Sequence, residues 1–220
     1  FNGDGRRGGF PAPRGPRTHD DYQQQLSRLT AQIRAMAPDI LAVSELENDG
    51  YGPLSSIARL TDQLGSGWRF VKGNTNSHGD DIRNGLLYRA DRVRPLGPTW
   101  LITQDAFRRW HRPALAQDFE LTGGSAPLSI IAVHLKSKSC RNAPPPQQDK
   151  GDGQACYARA RTKAASELVR WVSGKGADDV GVLLVGDFNA YAMEDPLRLL
   201  ARAGYQDLVR EFNGPRVGTF

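Results

Sequence analysis

The 220-residue sequence predicts a single α/β domain, and three observations carry that prediction. Three short apolar runs, ILAV at 40–43, SIIAV at 129–133 and VLLV at 182–185, read as strands covered on both faces, because none of them alternates apolar with polar. Each run then ends in polar residues of one parity: Glu45 with Glu47, His134 with Lys136 and Lys138, Asp187 with Asn189. Residues i and i+2 of extended backbone share a face, so each set should leave its strand end together. Between the runs lie stretches with helical spacing of apolar residues. Open sheets place ligands outside their strand ends, so the three polar sets are expected to form an anion and metal site at one edge.

In chain order, residues 1–17 are rich in Gly, Pro and Arg and read as a flexible basic arm. Thr18 then caps a helix, with Asp21 three residues on and Leu26, Leu29, Ile33 and Met36 as its apolar stripe; Pro38 ends it. The first buried strand follows. A second helix is predicted over 54–64, with Ile57, Leu60 and Leu64 inward and Gly65 as its stop. Residues 68–72 read as a strand, and the polar loop GNTNSHGDD makes His78 a loop residue rather than a ligand. The stretch 85–89 is another strand, with a hairpin turn at Ala90-Asp91 into Val93. Ala164, Leu168 and Val172 mark a helix reaching Gly174, whose early Arg159, Arg161 and Lys163 line either a substrate cleft or the helix surface. Asp195 as N-cap with Pro196 at the first helical position opens the last helix, with Leu197, Leu200 and Ala201 inward and Gly204 as stop.

A net charge of +5 and a pI of about 9.4 suit a polyanionic partner. No apolar run approaches the roughly 18 residues that a membrane helix needs, which argues against a membrane partner. The only two cysteines, Cys140 and Cys156, bracket a hydrophilic loop rich in Pro and Gly. A disulfide there would close the loop, contribute about 3 kcal/mol in the chain-entropy account and point to an oxidising compartment. A metal pair lacks the further Cys or His it would need.

VGDFNAYAMEDP, HLKSKSC and DILAVSELEND, in the reverse of that order along the chain, resemble the motifs of the endonuclease/exonuclease/phosphatase superfamily, which has the fold of DNase I and the abasic-site nucleases. A Cys that follows the HLKSK motif, Cys140 here, is similar to the bacterial extracellular endonucleases. The resemblance implies a DNase I-like four-layer sandwich of two packed mixed β-sheets flanked by helices. It also implies a secreted or periplasmic monomer that hydrolyses phosphodiesters of DNA, or of RNA, with Mg2+, Mn2+ or Ca2+. By position, Glu45 is the metal ligand, with Glu47 as its competitor because register alone separates them. Asp187 orients or deprotonates water, Asn189 and His134 hold the phosphate, and Lys136, Lys138, Arg112 and Arg83 contact phosphates, with Tyr88 beside them. Each has a plain alternative: an Asp/Asn turn at 187–189, a solvated acidic loop at ELEND, a solvated strand end for the lysines, and a surface arginine among Arg108 and Arg109 for Arg112.

Two rival functions sit on the same residues: a phosphodiesterase or phosphatase for lipid or small-molecule esters, and a nucleic-acid-binding fragment without catalysis. The family also begins with a strand carrying a metal-binding Asn and ends with one carrying an Asp-His pair. Residues 1–3 and 214–220 read as the loops next to these strands, so the resemblance implies a single domain truncated at both ends, with little activity as written. Otherwise His19, His78 or His111 fills the second histidine's role.

Overall fold

The computed structural model describes residues 15–73, 80–124, 126–176 and 180–214; most of the basic arm, His78 and residues 215–220 lie outside the described residues. Two compact units emerge, one of Phe1–Ile102, Pro113–Val133 and Asp179–Gly186, the other of Thr103–Arg112, His134–Asp178 and Asp187–Phe220.

The first unit holds helix α1 (His19–Met36), strand β1 (Ile40–Glu47), helix α2 (Ser56–Leu64) and strands β2 (Trp68–Phe70), β3 (Ile82–Arg89), β4 (Val93–Ile102) and β5 (Ala114–Leu121), together with β6 (Leu128–His134) and β7 (Gly181–Asp187) up to their last residues. Helix α1 starts as expected: the Thr18 hydroxyl accepts from the Asp21 N–H while the Asp21 carboxylate accepts from the Thr18 N–H. Its stripe is shorter than predicted, since Met36 is exposed and Ala37, in the left-handed region at φ 47°, closes the helix. Ser55 caps α2, which therefore begins two residues later than its apolar spacing suggested.

The strands form two sheets, ordered β1-β3-β2 and β4-β5-β6-β7. The expected hairpin at Ala90-Asp91 is not one. A turn is present, with the Arg92 N–H donating to Arg89 O, but β1 and β2 already occupy both edges of β3, so the chain crosses to the other sheet and β4 pairs with β5 instead. Leu86 and Val71 pack with Val93, Leu115, Phe119, Ile130 and Ala132 as the core between the sheets. On the outer face of the first sheet, Tyr22, Leu26 and Ile33 of α1 meet Ile57, Leu60 and Leu64 of α2 over Leu46 and Leu87.

The runs ILAV and VLLV, predicted to be covered on both faces, are only half-buried. The reason is topological: β1 and β7 each end their sheet's order among the described residues, so each has one neighbour rather than two. SIIAV in β6, flanked by β5 and β7, is buried throughout.

The second unit contains helices α3 (Ala158–Gly174), α4 (Asp195–Arg202) and α5 (Leu208–Asn213) and short 3-10 turns at Asp105–Arg108 and Pro145–Gln147. Cys140 and Cys156 are disulfide-bonded with their Cα atoms 5.1 Å apart, as the sequence predicted. Helix α4 uses Glu194 rather than Asp195 as its N-cap residue; Pro196 and Leu200 are buried, whereas Ala201 is exposed.

Candidate active site

β6 and β7 finish together. Val133 and Gly186 are in such close backbone contact that a Cβ on Gly186, at φ 128°, would lie 2.1 Å from Val133 O, so only glycine fits there. One residue further, the Leu135 N–H donates to Asp187 O at 2.9 Å. This pairing draws the residues that follow the two strands into one cluster in the second unit.

At its centre the His134 ring is almost fully buried, with Nε2 3.7 Å from Asp187 Oδ2 and 3.4 Å from Arg112 Nη1. A guanidinium has hydrogens to give and no acceptor, so in the contact with Arg112 the His134 Nε2 is the accepting atom. Asp187 is half-exposed and held from one side: Oδ1 accepts the Asn189 N–H at 2.8 Å and Oδ2 accepts Asn189 Nδ2 at 3.0 Å. Asn189 Nδ2 also donates to Leu135 O at 3.0 Å, so this amide spends its hydrogens on protein acceptors and fixes the carboxylate. Asp187 and Asn189 do converge, but not by strand alternation. β7 stops at Asp187, and Asn189, at φ 49°, turns back on it as an Asx turn.

Lys136 and Lys138 follow on a loop, because β6 ends at His134 rather than continuing to Lys138. The Lys136 ammonium lies over the Tyr157 ring at 4.9 Å. Lys138 lies over the Tyr191 ring at 3.9 Å and pairs with Glu194. Glu194 is buried and sits 3.8 Å from Arg161, which is fully buried itself. Arg161 gathers the whole loop, donating to Cys156 O at 2.8 Å, Gln154 O at 2.6 Å and Lys136 O at 3.3 Å. Of the early α3 cations, Arg161 is therefore interior, neither cleft nor surface. Burial lowers its pKa, an effect the Glu194 charge opposes, and a guanidinium stays charged through such shifts.

His111 is the residue the sequence left in the background. Its Nδ1 accepts the Lys136 N–H at 2.9 Å and its Nε2 lies 3.1 Å from Ala160 O, an arrangement that only the neutral Nε2–H tautomer satisfies. Burial lowers its pKa to about 4. It serves as a strut under Lys136. Glu194 carried no local signal either, since MEDP reads as helix-cap chemistry and its burial comes from packing against α3.

The first unit carries Glu45 and Arg83. A bulge interrupts β1, with Val43 opposite Gly85 and Leu46 opposite Arg83, so one extra residue is fitted between them. Glu45 takes the strain of it at φ 59°. The bulge cancels simple parity: Glu45 is exposed, while Glu47 is buried with its carboxylate accepting from the Ser56 hydroxyl at 3.3 Å, at the start of α2. Asp49 accepts from the Ser56 N–H at 2.8 Å, and its pKa is raised by burial and by the nearby Glu47. Beside the bulge, the Ser44 hydroxyl donates to Asn84 Oδ1 at 3.2 Å, and Asn84 Nδ2 donates to Pro113 O at 2.9 Å. Asn84, invisible as a site residue in the sequence, is thus a buried brace for the turn of β1. Arg83 donates to Gly50 O at 2.5 Å and lies over the Tyr51 ring at 4.1 Å; burial lowers its pKa. Tyr88, on the same strand, packs its ring against Phe119 between the sheets.

Among the described residues, no three His, Cys, Asp or Glu side chains form a metal cage. The donors around the bulge are a single exposed carboxylate with neutral oxygens beside it. That set fits magnesium held by one or two carboxylates with water and phosphate oxygens, and does not fit a closed all-protein site.

Comparison with known proteins adds the following. The family described as Endonuclease/Exonuclease/phosphatase family matches residues 2–220. No curated protein matches the chain. Among solved structures, D. rerio TDP2 complexed with single strand DNA product is 18% identical with a TM-score of 0.58, over 87% of this chain and 64% of that one. The human Nocturnin catalytic domain with bound sulfate anion is 20% identical with a TM-score of 0.58, over 83% and 62%. ANGEL2, a 2',3'-cyclic phosphatase in complex with adenosine-2',3'-vanadate, is 12% identical with a TM-score of 0.57, over 80% and 47%. The chain therefore spans less than two thirds of the length of each of these three. At such identities the likeness is one of fold, and the fold is that of the DNase I-like proteins.

Proposed function

Since the chain belongs to the Endonuclease/Exonuclease/phosphatase family, we propose that it hydrolyses phosphodiester bonds of nucleic acid, with Asp187, His134 and Arg112 at the reacting phosphate. The observation that carries this reading is the cluster itself: a half-exposed carboxylate fixed by Asn189, within 3.7 Å of a buried imidazole that already accepts from an arginine. Its basic surroundings suit a polyanion, and D. rerio TDP2 has been seen with single-strand DNA product.

In the proposed step, water attacks phosphorus in line, an O–P bond forms and the P–O bond to the leaving oxygen breaks. Asp187 accepts the water's proton. Asn189 acts on the carboxylate rather than on the substrate, holding both oxygens so that the remaining lone pairs face solvent. Arg112 donates to the phosphoryl oxygens as their charge grows, and its guanidinium offers two parallel N–H bonds to them. His134, once Arg112 turns to the phosphate, takes a proton from solvent at Nε2 and donates it to the leaving oxygen, and Asp187 afterwards returns the water's proton to solvent. Lys136 and Lys138 add positive charge along the strand. Glu45 would hold a divalent cation, magnesium in this reading, and a cation of that kind supplies charge stabilisation in phosphodiester hydrolysis.

The disulfide argues for an oxidising compartment, hence a secreted or periplasmic protein, which we take to act as a monomer. The test is nicking of supercoiled plasmid by the full chain with magnesium, beside phospholipid hydrolysis. Nicking that falls by on the order of 10²–10⁴ in Asp187→Asn and His134→Ala supports the reading. Lipid hydrolysis without nicking, or nicking untouched by both substitutions, overturns it.

A further inference from the structure

A second basic surface lies within the same unit. Ala106, Arg109, Trp110, Pro144, Pro146, Gln147, Arg159 and Lys163 border an open groove between the 3-10 turn at Asp105–Arg108, the disulfide loop and the first turns of α3. A neighbouring depression shares Pro146, Gln147, Arg159 and Lys163 and extends to Lys150, so the two form one track. Cations still outnumber acids along it. Asp105 pairs with Arg170, and Asp152 and Asp195 accept from the Gln154 amide while keeping their charge. Among the described residues Arg109, Arg159 and Lys163 have no carboxylate partner and are exposed.

Two features make this more than a solvated face. Arg159 projects from the first turn of α3, which has no acidic residue there, so this cation stands at the positive end of the helix dipole, with Lys163 one turn on. An anion placed there would relieve that repulsion. Trp110 supplies a flat wall, with Arg109 over its ring at 4.6 Å. The same Trp110 packs on Tyr157 at 5.2 Å, and Tyr157 carries Lys136, so one ring separates the groove from the loop that follows His134.

We propose that this groove holds the backbone of the nucleic-acid strand flanking the bond to be cut, with Arg159 and Lys163 on phosphates and the Arg109 guanidinium, carried on the Trp110 ring, as a flat face for a base. The chemistry is that of sequence-tolerant strand binding: cations tracking phosphates, with a guanidinium plane backed by an aromatic ring for a base to stack on. This inference rests on the nuclease reading and adds the place where the strand is held away from the chemistry.

The experiment measures binding of a labelled single-stranded oligonucleotide of about twenty nucleotides to the full chain across a salt series. Removing two phosphate contacts in Arg159→Ala with Lys163→Ala should weaken binding on the order of tenfold and lower the slope of log K against log salt by about 1.4. Arg198→Ala with Arg202→Ala takes the same charge from α4 outside the groove and should move the slope less. Trp110→Ala should weaken binding and leave the slope in place. Thermal melting checks folding, and Arg159→Lys with Lys163→Arg should keep the slope. In the same proteins, the preference in KM for the long strand over a dinucleotide should shrink in the double alanine variant. An active enzyme whose affinity, slope and length preference survive that variant overturns the groove. A wild type that hydrolyses neither substrate overturns the nuclease reading instead. Loss of binding to anionic vesicles, with no oligonucleotide bound by the wild type, assigns the surface to a membrane and overturns the strand.

Discussion

Glu45 stands on the extra residue of a bulge at φ 59°, a conformation that costs a glutamate energy and is retained only where the surroundings impose it. Glu45→Gln should abolish magnesium-dependent nicking and leave the melting temperature near that of the wild type. Glu47→Gln should show the reverse, because Glu47 is buried against Ser56 at the start of α2; an inactive Glu47→Gln beside an active Glu45→Gln would move the ligand by two residues. His111 gives a pH prediction. Its folded pKa of about 4 lies below the ordinary value of 6.5, so the unfolded chain binds the proton first as pH falls, and stability is lost downward through that window. The loss amounts to about 3 kcal/mol between neutral pH and pH 4, at 1.4 kcal/mol per unit. Urea unfolding against pH should show this fall in the wild type and a flatter curve over the same window in His111→Gln; parallel curves would remove His111 as the cause.

The elements are joined at a few positions that tolerate no substitute. Gly186→Ala would drive a methyl group into Val133 O and force φ 128° on an alanine. It should destabilise the fold by about 2 kcal/mol or more and separate the ends of β6 and β7, so both the melting temperature and nicking should drop. A variant that melts like the wild type and cuts normally would show that the two strand ends need not meet so closely. The disulfide works at the same scale. Cys140→Ser with Cys156→Ser should lower stability in urea by about 3 kcal/mol, since the closed loop spans a sequence separation of 16. Nicking should fall further than stability alone explains, because Arg161 bonds Cys156 O and Lys136 O from one guanidinium.

At the scale of the whole molecule, a net charge of +5 predicts that nicking weakens as salt rises, and chelation should abolish it until magnesium is returned. Full activity in excess chelator would remove the role given to Glu45. Much of this molecule was legible in its sequence, for local physical reasons. Thr18 with Asp21, Ser129–Val133 as a covered run, the Cys140–Cys156 loop and the adjacency of Asp187 and Asn189 all rest on spacing within a few residues or on a pair of cysteines. The sequence also determined the family, through three motifs whose order survives along the chain. What it could not determine depends on partners distant in the chain. The half-exposure of ILAV and VLLV follows from which strands end each sheet. The crossing after Ala90 follows from β3 having both edges filled, and the parting of Glu45 from Glu47 follows from one inserted residue opposite β3. The burial of His111, Arg161 and Glu194 was decided last, by packing of α3 and α4 around a loop whose polar residues look solvated when read alone. Periodicity reports which residues share a face; only the tertiary contacts settle what, if anything, covers it.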